Sequence, residues 1–468
     1  MDNISRRSIL RGTLAVAASG ALARPYVANA QAKTATVWQV QGFVPQEDDA
    51  FKKLVADYEK VSGNHIDYSI VPFAPLRQKF ISAITSGVVP DMVNPAFAPY
   101  IPAQAWANKL EDVSDIIEPH KSAIVDSVLA TSYAYNNTTK KHSHYALPWA
   151  GTLTPFHIWG SLVEKAGYKV SDIPNKWDAF LDFFKPMQKK LQAQGMRHTY
   201  SYAFVVGTVG GDPINTQNHF TVAYGGRDMV TKGGKLNSKD PKVRHAATEA
   251  MNKLATIYKE GYNPPSSINW NDADDNNAFH SKLCVMDFDG TLSTEMAMVT
   301  ADPEGLKEVI TRGLPLDNDG NVIPGFFGAF AMVIPKGAKN LAVAKDFAKY
   351  FMQPEIENDW VKGGIGRAVP IYAQQALNDP WWTKSGPPNL LPHILPMIEQ
   401  GFKRPTLPEW HYYTPAWADV ENEHVFQRYL VDVAQGKATV KEAIDQAFKE
   451  AEAIFAKYPI EEKVASHG

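Results

Sequence analysis

The stretch "TATVWQVQGFVPQEDDAFKKLVADYEKVSGNHIDYSIV", residues 34–71, sets the architecture. Thr34 to Val40 is a short run rich in β-branched residues and reads as a buried strand. Phe51, Leu54, Val55 and Tyr58 then recur at helical spacing, and Gly63 supplies a stop. Ile66, Tyr68 and Ile70 alternate, as a second strand requires. "PLRQKFISAITSG" follows as a helix between Pro75 and Gly87, and "PDMVN" as a third short strand. Strand, helix, strand, helix, strand is the pattern of a parallel sheet covered by helices, and the chain is expected to be α/β.

Outward from this unit, 468 residues exceed one ordinary core, so two domains are expected. A hydrophobic content of 44% and a charged content of 21% are those of a soluble globular chain. The net charge of -3, without a basic block, argues against nucleic acid. No apolar run is long enough to span a bilayer. Cys284 is the single cysteine, so no internal disulfide can form, and its apolar neighbours mark it as a packing residue.

The N-terminus carries an address. "SRRSILRG" places Arg6 and Arg7 ahead of the apolar run Gly12 to Ala23, and "ANA" at Ala28 to Ala30 is a small-x-small cleavage site. The order resembles a twin-arginine export signal, with Ile9 where Phe is usual. Cleavage is expected after Ala30, with the mature chain in the periplasm. Losing this segment removes a net +3 and leaves about -6.

Further along, "LTPFHIW" reads as a strand, and "NKWDAFLDFFKPMQKKLQAQG" as a helix burying Trp177, Phe180, Leu181, Phe184 and Met187. Pro186 predicts a kink or break within it. "PKVRHAATEAMNKLATIYKEG" and "LAVAKDFAKYFMQPE" are two more helices, the latter with Leu341, Ala344, Phe347, Ala348 and Phe351 inward. Trp417 to Ala434 is expected as one helix, followed by a last helix striped from Val440 to Phe455.

"LCVMDFDGTLS", residues 283–293, needs separate scrutiny. Asp-x-Asp-Gly-Thr after an apolar run is the opening motif of haloacid dehalogenase-like phosphatases. Those enzymes also need a later Ser or Thr, a Lys and an acidic pair for magnesium. The only close downstream acidic cluster, "LDNDGN", is flanked by Pro315 and Pro324 and reads as a turn. His142 and His144 in "KKHSHY" would share one strand face, but no third and fourth ligands can be named. "NDADDNN", Asp272 to Asn277 with one residue before it, lacks the central Gly and distal Glu of an EF-hand loop and reads as a helix cap. No metal and no cofactor are expected.

Taken in order, "SGVVPDMV", "ALPWAGTLTPFHIWGSLVEKAGY", "IPNKWDAFLDFF", "NAFHSKLCVMDFDGTLS", "GFFGAFAMVIPKGAKNLAVAKDFAKYFMQPE" and "GGIGRAVP" resemble the family 1 extracellular solute-binding proteins of ABC importers, the maltose-binding-like group. Their order and spacing cover nearly the whole mature chain. The resemblance implies a two-lobe periplasmic binding protein fold (type II), parallel-rich sheets covered by helices and hinged by crossing strands. Residues 31–147 plus 325–368 would form lobe 1, and 148–324 plus 369–468 lobe 2. It also implies a non-enzymatic, monomeric binder of a sugar, polyol or similar polar solute, with a membrane permease as partner.

The implied cleft positions carry flat rings and hydroxyl-binding polar groups, the chemistry a sugar needs. They are Gln41 and Phe43 after the first strand, Asn94 and Phe97 after the third, and Trp149 and Thr152 at the first crossing. Asp287, Asp289 and Thr291 end a strand, and Phe326 and Phe327 begin the returning one. Gly364 and Arg367 lie in "GGIGRAVP", Trp410 and Tyr412 in "RPTLPEWHYYTP". Leu292 and Pro95 stand where many relatives have aromatics, which speaks against a malto-oligosaccharide. The rival reading is an exported hydrolase, with Asp287 and Asp289 as phosphatase or glycosidase carboxylates.

Overall fold

The computed structural model describes residues 33–95 and 98–460. The export segment and Phe97 lie outside the described residues. Strand β1 (Thr34–Val40) lies between β2 (His65–Val71) and β3 (Met92–Val93), parallel to both. The helices Pro45–Ser62 and Phe73–Ser86 connect them, as the opening stretch requires. Each ends at a glycine in the left-handed region, Gly63 at φ 69° and Gly87 at φ 75°, where a side chain would be strained. Phe51, Leu54, Val55 and Tyr58 are buried against the sheet. Of the alternating residues in β2 only Ile66 is buried, because this edge strand is covered on one face.

The hairpin β4 (Tyr133–Asn136) and β5 (Lys141–His144) precedes β6 (Leu147–Thr152). The rings of His142 and His144 both pack on Tyr133. A second sheet follows, built from β7 (Phe156–Trp159), β8 (Tyr200–Tyr202), β9 (Cys284–Phe288) and β10 (Val309–Arg312) in the order β10-β7-β9-β8. It is mixed: β7 runs antiparallel to β9 and β10, while β8 and β9 are parallel.

After β11 (Gly325–Phe326), β12 (Gly328–Met332) returns antiparallel to β6, with Gly328 opposite Thr152 and Phe330 opposite Ala150. Gly151 also bridges to Val369. A Cβ at Gly151 would sit 2.5 Å from the Phe327 ring, so only glycine lets these segments lie so close. Last, β13 (Thr406–Leu407) pairs with β11.

The helix Leu341–Phe351 packs back on β1, with Val343 buried and Leu341 only partly so. The last helices, Val425–Ala434 and Val440–Phe455, pack on the helix Pro241–Lys259 of the second sheet's cover.

Two helical expectations are corrected. The helix Trp177–Ala193 runs unbroken through Pro186, because Trp177, Phe180, Phe184 and Leu191 anchor both halves on one core. The helix expected over 417–434 is two, Pro415–Asn422 and Val425–Ala434, divided at His424 in the left-handed region, φ 49°. Among the described residues no helix is long and apolar enough to cross a membrane.

Candidate functional site

Where β1 ends, the chain turns through Gly42 into the helix Pro45–Ser62. Glu47 accepts from the Phe43 N–H at 2.7 Å, and Asp48 from the Gly42 N–H at 2.7 Å. These caps hold two carboxylates at the mouth of a recess. Its other walls are Trp149 and Ala150 on β6, Phe330 on β12, Trp360 and Val361 on the helix Pro354–Gly363, and the segment Gly364 to Ala368. The recess encloses about 480 Å³ of space, its open mouth included.

Trp149 stacks on Trp360 with ring centres 4.1 Å apart and planes 10° from parallel. Its indole N–H is buried without a hydrogen-bond partner. Arg367 crosses the recess. Its Nε donates to Glu47 at 2.8 Å, one guanidinium N–H lies 3.4 Å from the Thr291 hydroxyl, and the charged plane covers the Phe330 ring at 4.9 Å. Arg367 thus links the start of the first helix to the turn after β9. Thr291 is held there in the left-handed region, φ 63°, with its N–H on the Leu153 carbonyl.

Beyond Thr291, the end of β9 and its turn carry a group of buried acids. Asp289 accepts from the Gly290 N–H, from Asn276 at 3.1 Å and from Ser293 at 2.5 Å. Asp287 is wholly buried; one oxygen takes the Phe288 N–H and the other has no partner. Burial, then the neighbouring Asp289, pushes the Asp287 carboxyl up to about 8. Opposite it in register, His157 pairs with Glu295 at 2.8 Å, both fully buried. Burial opposes the imidazolium, yet the Glu295 carboxylate holds it up to about 9. The same contact outweighs burial at Glu295 and holds it at about 2. Asn215, one turn into the helix Asp212–Ala223, reaches the Thr154 hydroxyl at 2.9 Å.

Three of the positions expected from the sequence line the recess: Trp149, Gly364 and Arg367. Two more touch Arg367, namely Thr291 and the half-exposed Phe43, whose ring centre is 5.9 Å from the guanidinium. Gln41 is exposed at the end of β1, and Thr152 lies opposite Gly328 on the crossing pair. Asn94 is buried after β3 with its N–H on the Trp38 carbonyl. The remaining aromatics sit in the packed interior. Phe326 meets Trp410 and His219 edge-on, Phe327 meets Phe402, and Tyr412 lies against His411.

Sequence reasoning missed Glu47, Phe330 and Trp360. Glu47 sits in the first turn of the helix and caps it, and nothing local marks its second partner, Arg367. Trp360 lies four residues before Gly364, and that nearness is the one sequence signal tying it to the loop.

The phosphatase reading finds no support in this geometry. A nucleophilic carboxylate must be reached in line by its substrate, and Asp287 has no exposed surface.

A family profile of bacterial extracellular solute-binding proteins matches residues 44–358. No curated protein sequence matches the chain. Among solved structures, an ABC transporter solute-binding protein from Thermotoga lettingae bound with alpha-D-tagatose is 19% identical, with a TM-score of 0.71 over 90% of this chain and 99% of that one. The maltose-bound MalE3 of T. maritima is 17% identical, with a TM-score of 0.69 over 90% of this chain and 100% of its own. The GacH receptor of Streptomyces glaucescens, solved unliganded and in complex with acarbose, is 15% identical, with a TM-score of 0.70 over 92% and 100%. With two helix-covered sheets joined by crossing strands around a recess, the chain has the two-lobe periplasmic binding protein fold, and it belongs to the bacterial extracellular solute-binding protein family.

Proposed function

We propose that this protein is the substrate-binding component of an ABC importer, capturing a sugar, polyol or similar polar solute between its lobes and handing it to a membrane permease. The observation that carries this reading is Arg367. It bonds Glu47 on one side of the recess and reaches Thr291 on the other, beside the ring planes of Phe330 and Trp149. A charged fork next to aromatic faces suits a ligand that presents hydroxyls at its rim and C–H groups on its faces. The tagatose, maltose and acarbose held by similar structures support the same solute class.

In this reading 31–147 with 325–368 and 148–324 with 369–468 move as two lobes and close on the solute. The protein is exported through its twin-arginine signal, cleaved after Ala30, and works as a periplasmic monomer.

A thermal-shift panel of monosaccharides, disaccharides and polyols tests it. One class should raise the melting temperature by several degrees, with no phosphate released from an aryl phosphate in magnesium. Arg367→Ala should weaken that ligand by about one to two decades, the effect of losing a hydrogen bond to a charged group. A panel without any shift, or unchanged affinity in the variant, would overturn the proposed ligand class or site.

A further inference from the structure

At the end of β9 lies an arrangement that solute capture does not use. Carboxylate oxygens of Asp212, Asp275 and Asp289 all lie within 4.8 Å of one another. They come from three separate elements: the start of the helix Asp212–Ala223, the helix Asp274–His280, and the turn after β9. Asp275 and Asp289 are buried, while Asp212 keeps part of its surface open to solvent.

Acidic clusters are common, and these three alone would say little. The second observation is Asp287. It is completely buried, one of its oxygens has no hydrogen-bond partner, and it lies within electrostatic reach of Asp289, Asp275, Glu295 and His157. Two residues before Asp289, it shares that residue's side of the strand end. The His157 imidazole that faces these acids is already bonded to Glu295 at 2.8 Å, so a buried carboxylate oxygen without a donor, set among three more carboxylates, is kept at a cost unless a further cation sits there.

We propose that Asp212, Asp275 and Asp289 hold a calcium ion beside the second sheet, with Asp287 as the buried carboxylate behind them. The donors are all oxygens, which selects a hard cation over zinc or copper. Calcium binds oxygens at about 2.4 Å, so two of its ligands can stand as far apart as these do. The opening at Asp212 leaves room for the waters that complete its shell. Bound there, the ion would pin three elements that otherwise repel and fix the turn on which Asp289 stands.

The test uses the full mature protein stripped with a chelator. Titration with calcium chloride should show one ion per chain by calorimetry. About 1 mM calcium should raise the melting temperature by several degrees. Terbium should bind the same site and be displaced by calcium. Asp275→Asn should weaken calcium by at least about ten-fold. Without calcium it should melt no lower than the parent, because a like charge has been removed. Should that variant fail to fold, the partly exposed Asp212→Asn serves in its place. Glu304→Gln, an exposed carboxylate in the same half of the chain, should bind calcium like the parent. The proposal is overturned if calcium gives neither heat nor a shift, or if the shift persists in both Asp275→Asn and Asp212→Asn.

Discussion

The two sheets solve the same burial problem with different chemistry. In the first, β1 buries Ala35 and Val37 between helices, and the buried acid bonded to its Thr36 is fully occupied. Asp91 accepts from the Thr36 N–H at 2.8 Å, the Asn340 N–H at 2.7 Å and the Asn340 amide at 3.1 Å. The second sheet buries Asp287, Asp289, Glu295 and His157 together, and leaves one oxygen each of Asp287 and Glu295 without a donor. Asp91 is scaffolding, whereas the unpartnered oxygen of Asp287 near a strand end is open to a further partner. The first sheet is therefore read as support for the recess, and the second as the side of the fold that buries its acids together.

Four measurements would break or sharpen this contrast. The largest effects should be shared. Phe51 packs on Tyr68 and Trp360, and Phe288 on Phe156 and His219. Phe51→Ala and Phe288→Ala should each cost about 3 to 5 kcal/mol in urea denaturation. A much smaller loss at Phe288 would mean that the second sheet does not rest on apolar packing.

Next, Glu295→Gln strands the His157 imidazolium in a dry site and should cost about 3 kcal/mol, the low end for breaking a buried pair. Near-neutral behaviour would show that the charges are screened by water.

His219 belongs to the second half alone. Burial holds this imidazole neutral, down to about 4, with Nδ1 on the Asn215 carbonyl. Its folded value is depressed, so its contribution is complete above the ordinary histidine range and is lost as pH falls from about 6.5 through about 4, at most about 3 kcal/mol. Urea stability at the two ends of that window should therefore diverge less in His219→Phe than in the parent. Equal slopes would show that the ring already carries charge in the fold.

The smallest effects separate the two acids. Asp91→Asn trades an acceptor of three N–H donors for an amide and should cost about 1 to 3 kcal/mol. Asp287→Asn, made in calcium-free buffer, should cost nothing measurable, since the unpartnered oxygen has no donor to lose. Equal costs would erase the distinction between the two acids.

The alternation of strand and helix over 34–93, the buried stripes of Phe51 to Tyr58 and of the last helix, and the glycine stops were all legible in the sequence. Each rests on a period of two or three-to-four residues and on local backbone preference, which a chain displays without its partners. The resemblance carried the fold class for a related reason, since motif order preserves the order of elements. Trp149, Gly364 and Arg367 were placed at the recess in the same way.

What a face meets is not written in its period. Phe326, Phe327 and Trp410 were candidates because the resemblance puts their segments at the cleft and flat rings suit a sugar. Only the return of β12 beside β6, and the pairing of β11 with β13, turned them into packed interior. The stacking of Trp149 on Trp360 joins rings 211 positions apart, and the approach of Asp212 to Asp289 joins acids 77 apart. No local pattern encodes such meetings. They arise when the packed fold brings segments far apart in the chain together, and burial then decides which side chains become core and which stay open to solvent.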